Sequence, residues 1–436
     1  MTKINIKKMR TTLMLLLVIM LTSSLSAVST QPADAQMDMP MSDLGIVCTT
    51  SETATFTLTT KTGTIMLPDD NTMFMWGFSE SDRPFQHPSP ILCVNQGDTV
   101  TIILKNTLDV DVSIIFPGQE NVLANGVPAH PQFDGVTGEL TSLTNVAPAN
   151  GGSVTYQFVA NSPGSFIYQS GTNPDIQVRM GLFGAVVVNP EIETYPAYEG
   201  KNFANNRLDS EYNEEFLIFF SEIDPYLNQA VERGLTFDFT NYHPRYWLIN
   251  GRGFPDTIAP NYASWLPNQP YGSLVRVHPY DAIHNPLPSL ERFINVGSEI
   301  VPMHPHGKNA VVINQDGRAV EGPGGEELSW ENYSLPVAPG QAYDGLFNWE
   351  DKEKYDPVDN PIPVTIPDVT HLVYGMFYSG SPYLGLQDTL PVGHSGMNMG
   401  GEYYLISHNH SLYQITSWGV VMTGPVTYLR VNPPTW

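Results

Sequence analysis

From Thr53 onward the chain is written in short runs rich in β-branched and aromatic residues, each closed by turn residues. Thr55-Phe56-Thr57-Leu58-Thr59-Thr60 alternates with period two. Gly63 and the turn Pro68-Asp69-Asp70-Asn71 follow, and then Met73-Phe74-Met75-Trp76-Gly77. A period of two puts alternate side chains on opposite faces of a strand, whereas a helix needs a period of 3.6, and no long stretch has the helical period. With 36 Gly and 37 Pro spread along 436 residues, the pattern predicts an all-β fold built of sandwiches. The length exceeds one ordinary core and predicts two domains.

The first residues read as an export signal. Lys3, Lys7, Lys8 and Arg10 precede the apolar run Leu13 to Leu21, and Ala33-Asp34-Ala35 supplies a small-residue cleavage site. Residues 1–35 are therefore expected to be a signal peptide, with the mature chain starting at Gln36 and located outside the cytoplasm, periplasmic or secreted. The apolar run is short for a membrane span, and no second span is expected. Residues 36–46, with Met37, Met39 and Met41, read as a flexible, polar N-terminus.

Lys and Arg number 20 against 44 Asp and Glu, a formal charge of −24. Losing the leader would remove four bases and one acid, leaving the chain more acidic still. Such a chain repels nucleic acid and anionic membranes and attracts cations, so no nucleic-acid partner is expected. The two cysteines, Cys48 and Cys93, read as one disulfide in an exported chain, with two free buried thiols as the alternative.

Two His-x-His pairs stand about a hundred residues apart: Val301-Pro302-Met303-His304-Pro305-His306-Gly307, and Ser407-His408-Asn409-His410. On a strand, residues i and i+2 share a face, so each pair aims two imidazoles at one point. Two such strands side by side would gather four imidazoles, a metal site in outline; two unrelated pairs at a surface rim are the alternative. His87, His130, His243, His278, His284 and His371 are isolated and read as surface or hydrogen-bonded residues. His394, Met397 and Met399 lie in a Gly-rich stretch that reads as a loop. No Ser-His-Asp constellation, phosphate loop or paired-carboxylate motif stands out.

Several motifs, taken in order, resemble the multicopper oxidases, which are built of cupredoxin domains, Greek-key β-sandwiches. Pro88-Ser89-Pro90-Ile91 leading to Gly97-Asp98-Thr99-Val100 is similar to their "P-G-P-x-I-x-V-x-x-G-D-x-V", and Gly181-Leu182-Phe183-Gly184-Ala185-Val186-Val187 to "G-L-x-G-x-L-I-V". Later, Ile249-Asn250-Gly251 with Pro255 and Thr257 resembles "I-N-G-x-x-x-P-x-T", and Pro339-Gly340-Gln341-Ala342-Tyr343-Asp344 resembles "P-G-x-x-Y-D". The resemblance covers roughly residues 50 to 436. It implies two tandem cupredoxin-like sandwiches, at 47–190 and 216–436, joined by a linker at 191–215.

The resemblance also says which copper ligands are kept. The first-domain "H-W-H-G" position reads Ile115-Phe116-Pro117-Gly118, and "H-S-H" reads Gln169-Ser170-Gly171, so both ligand pairs are missing. In the second domain the blue-copper ligands are replaced by Val301, Asn409 and Gln414. His304, His306, His408 and His410, aligned with the trinuclear cluster's ligands, remain. The implied cofactor is a single copper in a His-only site, with zinc as the second choice. Without the thiolate and the full cluster, four-electron reduction of O2 is not expected. The expected functions are a copper-dependent oxidoreductase, a copper-binding or electron-transfer protein without turnover, or a metal-free structural cupredoxin. A small reductant or a redox partner protein would serve the first two, and nothing in the sequence points to an oligomeric state.

Overall fold

The computed structural model describes residues 44–350 and 403–431. The expected leader, Met37, Met39, Met41, His371 and the His394–Met399 stretch lie outside the described residues. Residues 40–436 group as one compact unit. Among the described residues no helix is long and apolar enough to cross a membrane.

The strands sort into two sandwiches. In the N-terminal half one sheet runs Cys48–Thr49, Ile91–Asn95, Phe183–Asn189, Gly164–Gln169 in spatial order. The other runs Thr72–Glu80, Thr55–Met66, Thr99–Lys105, Ser153–Val159, Leu123–Ala124, Val127–Pro128. The alternation seen in the sequence sets their packing: Phe56, Leu58, Val100, Ile102 and Leu104 from the second sheet meet Leu92, Val94, Phe166, Val186 and Val188 from the first. The Cys48–Cys93 disulfide is present, with Cα atoms 5.5 Å apart. It joins two adjacent strands paired in parallel, Cys48 beside Ile91.

The C-terminal half repeats the plan. One sheet runs Tyr246–Ile249, Glu214–Ile223, Ser289–Asn295, Ala342–Phe347, Val311–Gln315, Arg318–Ala319, with Trp330–Glu331 also paired to Val311–Gln315. The other runs Val275–Val277, Val426–Val431, Tyr403–Asn409, Val301–Pro305, Leu335–Val337. Their shared core contains Phe216, Ile218, Phe293, Met303, Leu405 and Leu429.

The strand Phe216-Leu217-Ile218-Phe219-Phe220 has no polar face because both its faces are covered. Phe216, Ile218 and Phe220 point into their own sandwich. Leu217 and Phe219 pack against Ile91, Ile167, Phe183 and Val187 of the N-terminal half. Phe183–Asn189 is apolar for the same reason.

Leu44 packs on the C-terminal core, and the Ile46 amide donates to the Glu215 carbonyl at 2.9 Å, so packed structure begins within the 36–46 stretch. Short two-residue strands and single 3-10 turns occupy 191–212, within the expected linker.

Candidate metal centre

The two His-x-His pairs stand on neighbouring antiparallel strands, Val301–Pro305 and Tyr403–Asn409, and His304 lies directly opposite His408. Alternation decides which way they face. Val301, Met303, Pro305, Leu405, Ser407 and Asn409 are buried, so His304 and His408 take the opposite face and are half-buried. The ladder continues one step past each strand end: the His306 amide donates to the Ile406 carbonyl at 2.9 Å, and the His410 amide to Pro302 at 2.7 Å. The four imidazoles therefore form a zigzag on one face, with the His304–His408 pair in the middle and His306 and His410 at opposite ends.

Ring centroids are 4.8 Å apart for His304–His306, 5.6 Å for His304–His408 and 5.2 Å for His306–His408. His410 lies 5.3 Å from His304 and stacks on His408 at 5.6 Å. One ring nitrogen from each of His304, His306 and His408 lies within 4.8 Å of the other two, and His410 is outside that group. The Nε2 atoms of His306 and His408 approach to 3.2 Å.

The surroundings prepare these rings as ligands. The His304 Nδ1 faces the Tyr333 carbonyl at 2.5 Å, and the His408 Nδ1 faces the Asn409 carbonyl at 2.9 Å. A carbonyl only accepts, so each Nδ1 carries a proton, and Nε2 is the nitrogen left to face a metal. Burial, reinforced by the neighbouring imidazoles, pushes His306 down to about 4. Burial also lowers His408. Both are thus neutral near pH 7, as a ligand must be. A group of convergent imidazoles fits copper, and zinc next.

Tyr333 was not legible as a site residue. Its hydroxyl lies 2.8 Å from the His410 Nε2, and its ring lies over His304 with centroids 4.1 Å apart. It stands 29 residues from His304 and 77 from His410, in a polar stretch without periodicity, so nothing local marks it.

Val301, Asn409 and Gln414 are the positions that the motif resemblance compares with blue-copper ligands. All three are buried. The Asn409 side-chain amide donates to the Gln414 carbonyl oxygen. Gln414 Nε2 donates to Glu299 at 2.8 Å, and the Trp247 indole donates to the same carboxylate oxygen at 2.9 Å. In the N-terminal half, Ile115 and Gln169 exchange backbone hydrogen bonds of 2.8 and 3.2 Å. The two first-domain segments that the motif resemblance compares with ligand pairs are thus neighbours in space.

The isolated histidines fall elsewhere. His278 is bonded to Glu214 at 2.6 Å and His284 to Asp281 at 2.9 Å, while His130 is on the surface. His87 is fully buried, and neither ring nitrogen has a partner.

Comparison with known proteins places the chain. The profile of the multicopper oxidase family matches residues 83–193, in the N-terminal half. Copper resistance protein A of Pseudomonas syringae pv. tomato is 33% identical over 101 residues, 23% of this chain and 14% of that protein. Laccase-1 of Cryptococcus neoformans var. neoformans is 25% identical over 276 residues, 62% of this chain and 38% of the laccase. The chain thus spans well under half the length of these relatives. Among solved structures, a multicopper oxidase designated mgLAC superposes with a TM-score of 0.55 at 19% identity, covering 88% of each chain. The blue copper oxidase from Nitrosomonas europaea gives 0.54 at 16% identity, covering 87% of this chain and 85% of that one. Likeness at this identity speaks for the fold, a pair of cupredoxin-like β-sandwiches, and the sequence matches tie residues 83–193 to the multicopper oxidase family.

Proposed function

We propose that this chain is an exported copper protein that holds a single ion at the His304–His306 and His408–His410 pairs and serves as a copper-dependent oxidoreductase with a reduced, His-only site. The observation that carries this is the convergence of three imidazoles, two of them oriented by the Tyr333 and Asn409 carbonyls. Convergent rings are costly to assemble for packing alone, since polar side chains on a solvated face have no need to converge. Copper held there would supply one-electron redox chemistry. The chain's own residues supply the rest. The buried Val301–Asn409–Gln414 layer leaves no thiolate beneath the site, and the half-buried sheet face gives a small reductant or a redox partner access to it. Export is supported by the leader-like N-terminus and by the Cys48–Cys93 disulfide, which fits an oxidising compartment.

Metal analysis and thermal unfolding test this reading. Copper should bind at one ion per chain and raise the melting temperature by mass action. His306→Ala and His408→Ala should abolish most of that rise, and His130→Ala, on the surface away from the pairs, should leave it intact. Equal responses in all three variants, or no bound metal, would leave a structural cupredoxin. Oxygen uptake with phenols, Cu(I) or Fe(II) then separates turnover from mere copper holding or electron transfer.

A further inference from the structure

The zigzag of imidazoles poses a choice that the ligand inventory does not. His306 and His410 stand at opposite ends of the face, so one ion near the central His304–His408 pair is approached by His306 from one side and by His410 from the other. On the His306 side, the ring nitrogens already converge within 4.8 Å. On the His410 side, the nitrogen that would turn inward is taken by the Tyr333 hydroxyl at 2.8 Å.

Tyr333 is held firmly enough to enforce this. Its carbonyl accepts from the His304 Nδ1 and its ring covers the His304 imidazole, so one residue orients both His304 and His410. These contacts come from a residue that is 56% exposed, where burial of its own apolar surface gives little reason to be placed.

We propose that Tyr333 is a positioning residue that keeps His410 out of the coordination sphere, so that the copper takes three imidazoles, His304, His306 and His408, and retains a position for an outside ligand. This rests on the copper reading above and narrows its four histidines to three. Three protein ligands with an open position are the arrangement of catalytic metal sites, and a filled sphere is that of structural ones. Tyr333 thus sets whether the centre is reactive or closed.

The test loads the full-length protein with Cu(II) and counts imidazole nitrogens by pulsed EPR. Wild type should show three. His410→Ala should also show three, with the same spectrum, and His408→Ala should show one fewer. Tyr333→Phe keeps the ring and the carbonyl but frees the His410 Nε2, so it should show four. Azide, added as a small anionic probe, should perturb the wild-type spectrum strongly and the Tyr333→Phe spectrum weakly. A purely structural Tyr333 would leave both the nitrogen count and the azide response unchanged, which overturns the inference. Four nitrogens in the wild type, or a His410→Ala spectrum altered as in His408→Ala, would overturn it while leaving the copper reading standing. Failure of the wild type to take up copper would overturn both.

Discussion

Asn409 donates its side-chain amide to Gln414, and both residues are buried directly beneath the sheet face that carries His304 and His408. These two positions align with blue-copper ligands in the multicopper oxidases. Here they are closed by a hydrogen-bonded amide pair anchored through Gln414 to Glu299. A hydrogen-bonded polar network therefore fills this part of the second sandwich.

The optical consequence is direct. Intense blue colour arises from thiolate-to-copper charge transfer, and both cysteines are tied up in a disulfide in the other sandwich. The copper-loaded protein should be pale, with only weak visible bands. An intense thiolate band in its absorption spectrum would overturn this ligand assignment.

The disulfide should contribute to stability. It closes a loop with a sequence separation of 45, and chain entropy predicts about 4 kcal/mol for a loop of that size. The Cys48→Ser, Cys93→Ser double variant should lose stability up to that amount in a denaturant titration. Thiol titration of the denatured, unreduced protein should find no free thiol.

A buried ion cluster lies where the two sandwiches meet. The Arg292 guanidinium is fully buried, paired with Glu215 and, at 3.2 Å, with Asp344. Ser165 of the N-terminal half donates to Asp344 at 2.5 Å. Removing the cation strands two carboxylates in a buried site, so Arg292→Met should cost about 3–5 kcal/mol. Adding Asp344→Asn should recover part of that loss, because it removes one stranded charge. Equilibrium denaturation of the single and double variants measures both effects.

Glu291 gives the fold an alkaline sensitivity. It is buried, and one of its carboxyl oxygens has no partner. Burial pushes its carboxyl from the ordinary 4.5 up to about 8. Between those values the folded state holds a proton that the unfolded chain has released, so stability should fall as pH rises from about 4.5 to about 8. Glu291→Gln cannot ionise, and the difference in stability between variant and wild type should grow in the variant's favour across that window. Melting temperatures taken from pH 4.5 to 8.5 check this, and a constant difference would count against it.

The class of fold and the two His-x-His pairs were legible in the residues alone. Period-two runs such as Thr55 to Thr60, closed by turn residues, can bury one face only as strands. The i, i+2 spacing within each His pair puts both rings on one face whatever the partner strand. Asn409 in place of the thiolate was likewise legible, because ligand identity is a property of the residue.

Tertiary structure decided how those parts meet. That His304 faces His408, rather than a residue one step along, is a register chosen by core packing of Met303 and Leu405 between two sheets. A slip of one residue would have turned every imidazole inward. The contact of Tyr333 with His304 and His410 joins residues 29 and 77 positions apart. The Arg292 cluster likewise depends on Ser165, 127 positions away. No local preference encodes such meetings, since they are fixed only when burial of apolar surface brings distant strands together.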